Sequence, residues 1–189
     1  GPPPSVEPPL SHGSSFGSAA RAPRASRVLI VGSQPDEQRE LLGLVADAGF
    51  SGEAAADLEG ARACLRAGHE HAEPFAAAWL RLSADQARRA GAWDGALREL
   101  WEVDPDLQVL AAPGEDDDLG PLTALDARAG HGLLILSRSA GALAVRQALR
   151  ALVEKARLAH GARASAALQQ LLSAGPLPAM SPPSRHGHP

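Results

Sequence analysis

Between residues 27 and 172 the chain alternates short, unbroken apolar runs with longer stretches in which apolar residues recur every three or four positions. RVLIV (27–31) ends at Gly32-Ser33, the pattern of a strand followed by a turn. Pro35 suits a first helical turn, and Leu41, Leu42, Leu44 and Val45 recur at helical spacing as far as Gly49. GEAAA (52–56) predicts a weak second strand, and Asp57 is an N-cap candidate for a helix over 58–67 with Ala61, Cys64 and Leu65 inward. FAAAWL (75–80) predicts a third strand, apolar throughout, and it runs directly into Arg81. ALRELWEV (96–103) predicts a helix that stops near Asp104-Pro105, because the residue before proline avoids the α region. LQVLAA (107–112) reads as the fourth strand, PLTALDARA (121–129) as a short helix and LLIL (133–136) as the fifth strand. A helical pattern from about 143 to 172 closes the series.

Strands that alternate with helices in this way predict an α/β fold, a parallel sheet with both faces covered. Right-handed crossovers leave few topologies. A flavodoxin-like, doubly wound five-stranded sheet in the order 2-1-3-4-5, with flanking helices and an extended C-terminal helix, fits the length of 189 residues. The weak GEAAA run suits an edge of that sheet. With three Phe, three Trp and no Tyr, the core must be built from Leu, Ala and Val.

Composition shifts sharply outside this region. Residues 1–26 are rich in Pro, Gly and Ser and lack periodicity, which predicts a disordered linker; 175–189 have the same character and predict a disordered tail. Net charge is -4 and Lys155 is the one lysine, so there is no electrostatic footprint for nucleic acid or an anionic membrane. Cys64 stands alone, which excludes an intramolecular disulfide and suits a reducing compartment. No apolar run approaches the roughly 20 residues that span a bilayer, and no basic-then-apolar segment reads as a signal peptide. A cytoplasmic protein is expected, and the heavy use of Ala, Arg, Gly and Pro suggests a GC-rich bacterial genome.

RVLIVGSQPDEQRELLGLVADAGFSGEAAADLEGARACLRAG resembles the first half of a bacterial response-regulator receiver domain of two-component signal transduction. WDGALRELWEVDPDLQVL and LLILSRSAGALAVRQALRALVEK resemble its second half. The resemblance covers about 27–158, leaving 159–174 as a C-terminal helical extension. It implies a site at the carboxyl ends of the strands. Receivers carry two Mg²⁺-binding acids after the first strand, where this chain has Gly32 and Ser33. The phosphoacceptor aspartate belongs where Arg81 stands, the Thr or Ser where Pro113 stands, and the lysine where Arg138 stands. Aspartyl phosphorylation needs a carboxylate nucleophile and a hard cation held by oxygen ligands. Arginine cannot be that nucleophile, and its charge repels the cation. The resemblance therefore implies a degenerate receiver, a pseudo-receiver with no catalytic residue, metal or cofactor.

Arg81 and Arg138 are expected near each other at the carboxyl edge of the sheet. Each is read as paired with local carboxylates such as Asp85, Glu115 or Asp116; otherwise the two form an anion site, since two guanidiniums present fork-shaped donors, or are simply solvated. GEDDD (114–118) lacks the alternating spacing of a calcium loop and reads as solvated. His69 and His71, and His186 and His188 in the tail, lack the further ligands zinc wants. Cys64 reads as a small buried hydrophobe, and Asp94-Gly95 as a turn before a helix. The segment from Leu82 to Trp93 is longer than the usual receiver loop by about five residues.

The last helix leaves two readings open: a covering helix broken at Gly161, or a continuous signalling helix. Two functional classes follow. One is a protein-interaction or regulatory module whose partner is another signalling protein or an output domain of the same parent protein, with homodimerisation as a further expectation. The other is a small-ligand or anion sensor that uses the crevice at the carboxyl ends of the strands. GSQPD after the first strand has a single glycine and makes a poor phosphate loop, which leans toward the module.

Overall fold

The computed structural model describes residues 1–4, 25–114, 117, 120, 122–124, 132–137 and 139–175. Arg138, Glu115, Asp116, most of the expected helix at 121–129, and nearly all of the expected linker and tail lie outside these residues. The elements are β1 (Arg27–Val31), α1 (Pro35–Asp47), β2 (Ser51–Ala55), α2 (Leu58–Glu70), β3 (Phe75–Leu80), α3 (Ala84–Ala87), α4 (Ala92–Val103), β4 (Gln108–Ala111), β5 (Leu133–Ile135) and α5 (Ala142–Ser173). The five strands form one sheet in the order β2-β1-β3-β4-β5, and every neighbouring pair is parallel. This is the doubly wound order expected from the alternation of runs.

Alternate residues of each strand serve opposite faces, which explains why the inner strands read as unbroken apolar runs. Leu29, Val31, Ala78, Leu80, Val109 and Ala111 face a core built with Ala61 and Leu65 of α2 and Leu97, Leu100 and Trp101 of α4. Val28, Ile30, Ala77, Trp79 and Leu110 face the other core, with Leu41 and Val45 of α1 and Val145, Leu149 and Leu152 of α5. β2 lies at an edge, its first three residues exposed, which accounts for its weak pattern. Arg27 anchors the amino end: it pairs with Glu53 at 2.6 Å, donates to the Glu73 carbonyl at 2.5 Å and lies 4.1 Å from the Phe75 ring centroid.

Several boundaries differ from the sequence pattern. The second strand begins one residue earlier, at Ser51, and α2 continues past 67 to Glu70. α4 begins at Ala92 rather than 96, because Gly91 takes φ 72° and turns the chain so that Trp93 is buried in the first turn. Asp94-Gly95 therefore lies inside the helix, where Asp94 pairs with Arg98 at 2.7 Å, and is not a turn ahead of it. Much of the long segment after β3 is the short helix α3, closed by a reciprocal capping box between Ser83 and Gln86. Cys64 is half-buried against the core, its thiol 3.6 Å from Glu53 Oε1, rather than fully buried.

α4 ends where Asp104 turns to extended backbone, and its carboxylate accepts from the Asp106 amide at 3.0 Å. Asp104 is 3% exposed. Burial pushes its carboxyl above the usual range, opposed by His69, whose Nε2 lies 3.5 Å away, and by Arg163. α5 is one continuous helix through Gly161. Among the described residues, no helix is long and apolar enough to cross a membrane.

Leu97 is fully buried between α4 and the sheet. Truncation by Leu97→Ala should cost about 2–5 kcal/mol, the transfer of the lost atoms plus the cavity they leave. Leu143→Ala, at a residue 66% exposed, should stay within about 0.5 kcal/mol. Denaturant melts of both variants against the parent measure the contrast.

Candidate functional site

The carboxyl ends of β1, β3 and β4 converge on one edge of the sheet. The ladders run past the strand ends: the Gly32 amide donates to Ala55 O at 3.2 Å, Arg81 to Val31 O at 3.1 Å, Ala112 to Leu80 O at 2.9 Å and Leu136 to Ala111 O at 2.9 Å. Gly32 and Arg81 are thus fixed in the backbone beside each other. Gly32 has φ +79°, and a Cβ placed there would run into the Arg81 carbonyl oxygen. Glycine is required at this position by both conformation and space.

Arg81 leaves β3 toward the first turn of α1 and forms an ion pair with Glu37. Both side chains are largely covered, with exposures of 18% for Arg81 and 26% for Glu37. Pro35 opens α1, and Asp36 and Glu37 occupy its first turn, where the exposed amides of a helix start favour negative charge. The acid found paired with Arg81 is Glu37, which adds to the expected candidates Asp85, Glu115 and Asp116. Asp85 instead lies 4.0 Å from Arg88 at the surface, and Glu115 and Asp116 fall outside the described residues. Glu37 lies outside the expected set, which holds only acids from loops on the carboxyl edge. An acid in the first turn of a helix that starts at that edge was the available signal.

Ser33 follows Gly32, and its Oγ is buried without a hydrogen-bond partner among the described residues, as is Glu37 Oε1. Pro113 is buried two residues beyond β4. Arg138 lies outside the described residues; beside it, the Ser137 and Ser139 hydroxyls lie 2.8 Å apart. The structure therefore brings Gly32, Ser33 and Arg81 together at the ends of β1 and β3 and adds Glu37. His69 sits with Asp104, outside this cluster. Among the described residues, no three of His, Cys, Asp or Glu converge as a metal site would require.

No family model matches the chain, and no curated protein matches it. Solved structures do. A response regulator receiver protein from Sinorhizobium medicae aligns at TM-score 0.52 and 16% identity, over 70% of this chain and 97% of that one. NtrX from Brucella abortus, solved in complex with ADP, aligns at TM-score 0.56 and 18% identity over 74% of this chain. The match spans only 28% of NtrX. An adenylate cyclase from Rhodopirellula baltica aligns at TM-score 0.57 and 14% identity, over 79% of this chain and 98% of that one. At these identities the likeness concerns the fold, and that fold is receiver-like.

Two variants probe the cluster. Gly32→Ala should lose about 1–3 kcal/mol, the cost of left-handed backbone in a non-glycine residue, or more if the Arg81 carbonyl cannot yield. Arg81→Ala should lose about 1–3 kcal/mol by leaving the half-buried Glu37 carboxylate unpaired. Combining Arg81→Ala with Glu37→Gln should recover part of that loss, which a double-mutant cycle in denaturant measures directly. Sulfate at matched ionic strength should raise the melts of parent and Arg81→Ala equally. A larger gain for the parent would show an anion held by Arg81.

Proposed function

We propose that this chain is a phosphorylation-independent, receiver-like protein-interaction or regulatory module of bacterial signal transduction, acting in the cytoplasm without catalysing a reaction. The observation that supports this most is the Arg81–Glu37 ion pair at the end of β3. A receiver works by accepting a phosphoryl group on a carboxylate there, with a divalent cation beside it. Here the position carries a guanidinium whose charge is already matched by an acid from α1. Gly32 offers no side-chain ligand, and Ser33 offers only a neutral hydroxyl, so the two positions directly after β1 give a hard cation no anionic oxygen donor, and the nearby Glu37 carboxylate is matched by Arg81. Pro113 has no hydroxyl to follow a phosphoryl group.

The close approach of Gly32 to Arg81 adds a second barrier. Returning an acid to position 32 would drive its Cβ into the Arg81 carbonyl, so one substitution cannot rebuild the cation site. The same ion pair weighs against the reading as an anion sensor, because Arg81 does not bring an unmatched charge to the crevice. A module of this kind acts by presenting surfaces, to another signalling protein or to an output domain of the same parent.

Acetyl phosphate with Mg²⁺, or beryllium fluoride with Mg²⁺, should leave the protein unchanged in intact mass and in its amide NMR spectrum. Arg81→Asp should behave the same way, since the cation still lacks its ligands. A stoichiometric, hydroxylamine-labile adduct on the parent would overturn the reading.

A further inference from the structure

The amino ends of the strands, opposite the candidate site, hold a groove of about 930 Å³. A groove of that size falls in the range of small-molecule sites, about 300–1,000 Å³. One wall is α5, which is buried as far as Val153, exposed from Arg157 onward, and so overhangs the end of the sheet. The other walls are the segments that lead into β1, β3 and β4. Ala72, Pro74, Ala76, Pro105, Val153 and Ala156 give the groove an apolar lining of small side chains.

Two buried polar residues lie beneath it. Asp104, 3% exposed, and Gln108, 6% exposed, are the polar side chains that the described residues hold buried, and both line this groove. The core elsewhere is apolar. A buried polar group costs stability unless it is hydrogen-bonded, so two of them at one place call for a reason. Asp104 accepts from the Asp106 amide at 3.0 Å and lies 3.5 Å from His69 Nε2. Gln108 Nε2 donates to the Asp106 carbonyl at 3.3 Å, while its Oε1 has no partner among the described residues. A mainly apolar groove with a few fixed polar groups is how ligand sites are built.

The charges of the lining decide what fits. Arg163 pairs with Asp106, Arg157 with Glu154 at 2.7 Å, and Arg27 with Glu53 at 2.6 Å. Glu73, the remaining acid of the lining, is itself engaged. Lys155 is the one lysine of the chain. It lines the groove together with His160, and neither makes an ion pair or hydrogen bond among the described residues. The uncommitted charge is therefore positive.

We infer that this groove binds a small amphipathic anion, a molecule with an apolar body and one acidic group. The body lies against Pro74, Pro105 and Ala156, and the acidic group meets the Lys155 ammonium and a ring N–H of His160. A cationic head would find Lys155 and no free acid. The groove and Arg81 lie at opposite ends of the sheet, so this inference and the reading of the carboxyl-end site can each fail without the other.

Decanoate and decyltrimethylammonium share a chain and differ in the sign of the head. Calorimetric titration of the full chain should show saturable binding of decanoate and far weaker binding of the cation. Amide NMR shifts should cluster at Ala72, Ala76 and Ala156 and spare Gly32 and Arg81. Lys155→Gln, at an exposed position, should weaken decanoate roughly five- to tenfold with unchanged circular dichroism. Ala156→Trp, which sets an indole in the groove, should abolish binding. Leu168→Glu, on the exposed end of α5 outside the groove, should bind as the parent does. Absence of saturable binding, equal affinity for the two amphiphiles, or full affinity in either groove variant would overturn the inference. Loss of binding in Leu168→Glu would overturn it too, by placing the ligand on the outer face of the helix.

Discussion

The abutment of Gly32 against the Arg81 carbonyl fixes the end of the central strand pair. β3 is the central strand and β1 one of its two neighbours, and the Arg81 amide continues their ladder to Val31. With Gly32 in left-handed backbone beneath it, the chain after β1 turns at once toward α1, bringing the first turn of that helix within reach of the Arg81 side chain. Glu37 is placed by this turn. The Arg81–Glu37 ion pair thus depends on a backbone contact that tolerates no side chain at residue 32. Glycine there is a steric requirement.

Two-sided burial made most of the fold legible. A strand covered on both faces must be apolar at every position, so RVLIV and FAAAWL could be recognised, and the helical spacing between them fixed the alternation. Edges and ends were harder to read because fewer contacts enforce their composition. β2 slipped by one residue, and α2 ran on to Glu70. The early start of α4 rests on positive φ at Gly91, which a lone glycine does not announce. The capping box of α3 was visible in principle as Ser83 followed three residues later by Gln86.

The candidate site was legible in its positions and less so in its pairing. Counting along the receiver-like pattern located Gly32, Ser33, Arg81 and Pro113, but nothing in that count identifies which acid meets Arg81. The partner lies 44 residues earlier in the chain, at a distance only the fold closes. Gly161 poses a similar problem. Glycine inside a helix costs about 1 kcal/mol relative to alanine, enough to suggest a break but not to force one. The Arg163–Asp106 contact just beyond it ties the continued helix to the loop after α4, so a tertiary contact works against the local preference.

A receiver that switches by phosphorylation changes the charge at the end of β3, and the change is what its surfaces respond to. Arg81 and Glu37 form a pair of matched charge, which supplies no such event. On the proposed reading the module has one resident state at that site. Control must then come from what binds elsewhere, through differences in affinity or in local concentration.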